Sequence, residues 1–283
     1  MDDSHDPALN KSTLPRPART KPLVRHILPS DNHGFIGRVY DLSIVSLNFD
    51  SYEEMAQYPD VKYALEVNYA LKGLTRRVES LNLAGGLIWP ERLPESFKDF
   101  AVSRYEWLTI AADVFLMRYT SVVDCALIFA SGVYECGLEA KKCSFDQLKK
   151  KGVASTALYV LEQMLADQGN LRAERNARFH HGEERGFTED SQTFEMAARF
   201  EQWGSGLTGK NQVGRTINVT RSFQEGLVEL QREFNFSTKS LVKRLDEFYD
   251  ILEVEFESRF GPRIQAATHG LNAGSQVRGR ARP

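Results

Sequence analysis

Six histidines occur in the chain, and only His180 and His181 fall within residues 34–262. Both lie in the stretch 172–186, RAERNARFHHGEERG, which also holds four arginines. Imidazole is the side chain whose ordinary pKa lies nearest neutrality, so imidazole acid–base chemistry in this body is confined to that stretch. Guanidinium beside it adds fixed positive charge suited to phosphate oxygens. Cleavage of RNA through its own 2′-hydroxyl needs a proton acceptor for the nucleophile, a proton donor for the leaving oxygen and positive charge on the phosphorane. Imidazole and guanidinium supply all three.

Spacing constrains how these groups meet. On an ideal helix Asn176 and His180 lie one turn apart on the same face, whereas Arg175 is rotated by about 140° from His180. A single straight helix therefore does not converge Arg175 with His180, and a bent helix end or a second copy of the chain is required. The same cluster also fits a solvated helix end, with His180 placed against the C-terminal dipole. A metal site at His180, His181 and Glu183 or Glu184 is disfavoured, because adjacent histidines point about 100° apart and no third strong ligand is placed by sequence. No metal or cofactor is expected. Phe179 is assigned to the core. The glycine-punctuated GSGLTGKNQVGR lacks the GK[ST] ending of a phosphate-cradling loop and follows no strand, so it reads as a surface loop.

Charge and cysteine usage narrow the classes further. With 36 Lys and Arg against 38 Asp and Glu, the net charge of −2 excludes a uniformly basic nucleic-acid binder and leaves only local patches. Charges interrupt the apolar runs before a bilayer-spanning length is reached, and MDDSHDPALNKST has no apolar signal core, so no membrane partner and a cytoplasmic location are expected. Cys125, Cys136 and Cys143 are an odd set without CxxC spacing and read as reduced structural thiols.

The elements that must position the motif are mainly helical. Residues 1–33 are too polar to bury much surface and predict a mobile arm. Residues 35–49, rich in β-branched and aromatic side chains, predict a strand or extended segment. Helical spacing returns over 52–83, with Pro59 as a break or start, and the Gly85-Gly86 and Pro90/Pro94 cluster ends it. From Phe97 the positions Ala101, Tyr105, Leu108, Ala112, Phe115, Tyr119, Val122, Ala126, Ala130 and Val133 predict one long amphipathic helix stopping near Gly137. Helices over 154–165 and 194–203 flank the motif helix, which Gly169-Asn170 separates from its predecessor and Gly182 terminates. The last helix spans 219–260, with a break at 235–238, and an Arg-rich disordered tail follows. The fold class is mainly α, a helical bundle with long antiparallel helices and flexible termini. Its divisions are an arm (1–33), an extension packed on the bundle (34–96), the helical domain (97–262) and the tail (263–283).

Arg175-Asn176-Ala177-Arg178-Phe179-His180, an Arg-Asn pair followed three residues later by His, resembles the signature of the HEPN superfamily. The resemblance covers about residues 97–203. It implies a small helical bundle, commonly dimeric, of a kind that includes many metal-independent endoribonucleases in toxin–antitoxin, phage-defence and RNA-processing systems. By position, Arg175 and His180 match the family's catalytic pair, and Asn176 matches the polar residue after the arginine. Asp124 matches an acidic position on the preceding long helix, and His181 and Arg178 are auxiliary candidates. The departures are His181 and the acidic Glu183-Glu184 pair directly after the motif. The implied partners are RNA, a second copy completing the site across a dimer interface, and an antitoxin or other regulatory protein. The alternative is a non-catalytic HEPN-like module that holds RNA, a nucleotide or a protein.

Overall fold

The computed structural model describes residues 21–211 and 214–267. Among them the chain forms eight α-helices and no strand: α1 (Gly34–Ser43), α2 (Tyr52–Met55), α3 (Pro59–Ile88), α4 (Arg104–Val133), α5 (Phe145–Lys150), α6 (Ser155–His181), α7 (Ser191–Gln202) and α8 (Val219–Ala266). The four long helices make an up-down-up-down bundle. Tyr63 at the start of α3 donates to the Val133 carbonyl at the end of α4, while Trp107 near the start of α4 donates to the Leu87 carbonyl, so these two run antiparallel. α8 lies antiparallel to α3, through Gln231 on Ile88 and the Tyr63–Phe256 stack. α6 lies antiparallel to α4, through Arg172 on Asp124 and Arg178 on Asp113.

α4 starts at a capping box in which the Ser103 hydroxyl accepts from the Glu106 N–H and the Glu106 carboxylate accepts from the Ser103 N–H. The helix begins later than its spacing predicts, because Phe97 leaves the helical path. Phe97 is buried among Phe100, Trp107 and Phe223, with the Arg104 guanidinium 4.3 Å from its ring centroid. Leu108, Ala112, Phe115, Tyr119, Val122, Ala126 and Val133 are buried as the pattern predicts, but so are Ala111, Leu116, Val123 and Leu127. α4 is thus buried on several sides, between α3, α6, α7 and α8. Its most apolar window has a mean hydropathy of 1.5, long enough by composition to cross a membrane, contrary to the reading of interrupted apolar runs. That window is 61% buried, as befits the central helix of a bundle.

Several boundaries differ from the expectation. Residues 35–49 form α1 and a short 3-10 helix instead of a strand. Phe35, Ile36, Val39 and Leu42 fall on one helical face and are buried, and His33 Nδ1 caps the helix by accepting from the Phe35 N–H. The helical period of these side chains outweighs their β propensity. α3 begins at Pro59 as predicted but runs through Gly85-Gly86 to Ile88. A Cβ at Gly85 would lie 2.7 Å from Arg25 Nη2, so this glycine admits a neighbouring side chain where the sequence reads as a stop. α3 packs along the length of α4 and against α8, making residues 34–96 part of the bundle wall as well as an extension. α8 is unbroken at 235–238 and passes Pro262 to end at Ala266.

Residues 21–33, expected within the mobile arm, instead lie along α3 and α8, with Leu28 buried. The rest of that arm, 1–20, and the tail from 268 lie outside the described residues.

Candidate functional site

The motif sits on the second half of α6. Gly169, with φ 20° and ψ −105°, is the one non-helical residue within that helix, and Gly182 closes it in the left-handed region at φ 69°. Both glycines act as the sequence predicts, one as a joint and one as a stop. Between them Arg175 to His180 is regular helix, so no bend brings Arg175 toward His180.

The neighbouring polar side chains are engaged in holding α6 to the bundle. Gln168 is buried and donates to the Tyr119 and Thr120 carbonyls at 2.9 and 3.2 Å. Arg172 donates to Gln168 Oε1 at 2.9 Å and to Asp124 Oδ1 at 2.8 Å. Asp124, matched to the acidic position on the long helix, is thus engaged by Arg172. Arg178, an auxiliary candidate, has a side chain only 5% exposed and donates through Nε to Asp113 Oδ1 at 2.7 Å. Beyond Gly182 the chain is pinned by Arg185, which bridges Glu174 at 3.2 Å and Glu233 at 2.8 Å. Burial pushes the Glu233 carboxyl above the usual carboxylate range, against the opposing pull of Arg185. Asp113 and Arg185 were not singled out from sequence. The legible signal for Asp113 was its separation from Asp124 by about three helical turns, which puts both on the face of α4 that meets α6.

The matched motif residues are left at the surface. Arg175 Nη1 donates to Asn176 Oδ1 at 2.8 Å, while its Nε is buried without a partner. Asn176 thus contacts Arg175 of the matched pair and makes no hydrogen bond to His180. His180 and His181 are exposed and make no hydrogen bond or ion pair with any described residue. Phe179, assigned to the core from its type, is instead 44% exposed beside them. The end of α6 passes the edge of the bundle at this point, so apolar character alone does not bury the ring.

One cleft borders this region and another lies on α7. The first, of about 400 Å³, is lined by Glu174, Glu183 and Glu184 together with the paired Arg178 and Arg185. The other, of about 760 Å³, is formed by α7 and the loop at 208–210. Neither is lined by Arg175 or His180. Lys210 and Thr216 form an isolated antiparallel bridge. Among the described residues no three His, Cys, Asp or Glu side chains gather as a metal-ligand set.

What one chain offers chemically is an exposed imidazole pair and an oriented guanidinium on different faces of one helix. Comparison with known proteins returns no family model, no curated protein and no solved structure that matches this chain.

Proposed function

We propose that this chain is a HEPN-type, metal-independent endoribonuclease whose active site is completed by a second copy. The observation that carries the reading is selective occupancy. Arg172, Arg178 and Arg185 are spent on carboxylates, whereas among the described residues His180 and His181 have no partner and Arg175 hydrogen-bonds to Asn176 alone. Exposed groups of this kind, matched to an Arg-Asn-x3-His spacing, suit a phosphodiester better than a packing role.

In the proposed reaction an imidazole takes the proton from the RNA 2′-hydroxyl, and that oxygen attacks the adjacent phosphorus. The phosphorus–5′-oxygen bond breaks, an imidazolium protonates the leaving oxygen, and guanidinium balances the charge of the phosphorane. The products are a 2′,3′-cyclic phosphate and a 5′-hydroxyl. Because Arg175 and His180 of one straight helix diverge, the second copy supplies the facing groups. Such an activity suits a cytoplasmic toxin or defence effector restrained by a protein partner.

The test is incubation of the purified chain with mixed RNAs in EDTA, alongside Arg175→Ala and His180→Ala. Cleavage by the wild type alone, leaving cyclic phosphate ends and sparing DNA, supports the reading. Binding without cleavage, or cleavage dependent on a divalent metal, refutes it. A second reading, a non-catalytic module that holds a protein, draws on Glu183 and Glu184, which set negative charge beside the motif where an RNA phosphate would be repelled.

A further inference from the structure

The segment from Leu23 to Leu28 lies in a groove between α3 and α8 and is held mainly through its backbone. The Leu23 N–H donates to Gln231 Oε1 at 2.8 Å, and its carbonyl accepts from Trp89 Nε1 at 2.6 Å. Asn235 donates to the Val24 carbonyl and accepts the His26 N–H, both at 2.8 Å. Asn82 does the same for Leu28 alone, accepting its N–H at 2.9 Å and donating to its carbonyl at 2.7 Å. An amide that offers both Oδ1 and Nδ2 to a main chain reproduces the donor–acceptor pair of a neighbouring strand. Contacts of this kind address atoms that every residue except proline carries.

Three side chains supply identity: His26 Nδ1 lies 3.0 Å from Thr238 Oγ1, and Arg25 and Leu28 are seated as follows. The Arg25 guanidinium donates to the Asn82 carbonyl and lies in the notch left by Gly85. Leu28 is 2% exposed, whereas Val24 and Ile27 are 92% and 68% exposed. The segment is thus gripped at Arg25, at His26 and at Leu28, of which Leu28 is the most deeply buried. Residues 29–32, PSDN, then join it to α1, which is anchored separately by its buried Phe35, Val39 and Leu42.

We infer that this groove is a binding site for an extended peptide, read through its main chain with an Arg-x-x-Leu anchor pair. Its ligand is the chain's own segment 21–28, seated here in cis and transferable to the groove of a second copy. With one fully buried apolar side chain set against the ordering of the whole segment, local release lies within reach. The short connection at 29–32 supplies the hinge that exchange needs. This own segment is the sequence whose fit the structure displays, so a second copy is the matching source in trans. The inference is independent of the α6 motif, and its test uses no RNA.

The experiment uses the full chain carrying Arg25→Ala with Leu28→Ala, which weakens the segment in cis and leaves the groove intact. The probe is a fluorescein-labelled peptide of residues 21–30, KPLVRHILPS, followed by anisotropy. The folded double variant is expected to bind the peptide saturably. Wild type should bind at least about tenfold more weakly, because its tethered segment competes at high effective concentration. Adding Asn82→Ala and Asn235→Ala to the double variant should abolish binding, and so should replacing both anchors in the peptide. A folded double variant that ignores the peptide, or one that binds it regardless of Asn82 and Asn235, overturns the inference. Failure of the double variant to fold, seen by circular dichroism, also overturns it, since the segment would then be a fixed part of the core.

Discussion

Along the groove between α3 and α8, Asn82, Gln231 and Asn235 each have donor and acceptor engaged on main-chain atoms, and Trp89 adds its indole N–H. At the end of α6, His180 and His181 engage no described residue and Asn176 accepts only from Arg175. Both regions are rich in polar side chains, yet one spends them on the chain itself and the other presents them to solvent. A buried polar group must find a partner or carry its desolvation cost, so the groove's amides are explained by what they hold. The imidazoles at the end of α6 have no such partner among the described residues, and that difference is what supports the proposal of an external partner there.

The largest expected effect tests the unpartnered side. His180→Ala and Arg175→Ala should each lower RNA cleavage by about two to four orders of magnitude, measured as product ends released per unit time. Their urea midpoints should stay within about 0.5 kcal/mol of wild type, as expected for surface changes. His181→Ala should cost less activity than His180→Ala.

Arg178→Ala should invert that pattern. It orphans Asp113 and breaks a pair on the α4–α6 contact, with a loss of about 2 kcal/mol in urea unfolding. That lies below the figure for a fully buried pair because Asp113 is 30% exposed. A variant with wild-type stability but no cleavage would move Arg178 into the site and blur the comparison.

On the satisfied side, Leu28→Ala should cost about 2 kcal/mol or slightly less, the low end for a buried leucine, because the segment can relax around the gap. A shift in thermal midpoint of a few degrees would show it.

The smallest effect is on pH. Burial, and then the nearby Lys239 ammonium, hold the docked His26 imidazole below its ordinary value. A free segment therefore takes up a proton more readily than a docked one. Docking is at full strength above about pH 6.5 and weakens as pH falls through the ordinary imidazole range toward the docked value. Hydrogen exchange of the amides at 23–28, corrected for intrinsic rates, should quicken on acidification, and His26→Gln should remove that dependence.

Much of the bundle was legible in the order of residues. The spacing along α4, the Pro59 start, the Gly169 joint and the Gly182 stop all rest on local stereochemistry, which a sequence displays directly. So does the Arg-Asn-x3-His spacing, together with the divergence of Arg175 from His180 that follows from helical geometry. What the residues did not display were partnerships made across the fold. Gly85 reads as a stop until Arg25 arrives from sixty residues upstream to occupy its open side. Arg172 and Arg178 read as members of a basic cluster until Asp124 and Asp113 face them across α4. Phe179 reads as core until the end of α6 is seen to pass the edge of the bundle. The sequence by itself determined most of the long helical segments, though not 35–49, and which residue types gather at 172–186, because helix formation and capping depend largely on near neighbours. Only the tertiary structure decided which of those groups remain free for chemistry, because a charge or an amide is spent or spared by partners that the chain brings together from far along its length.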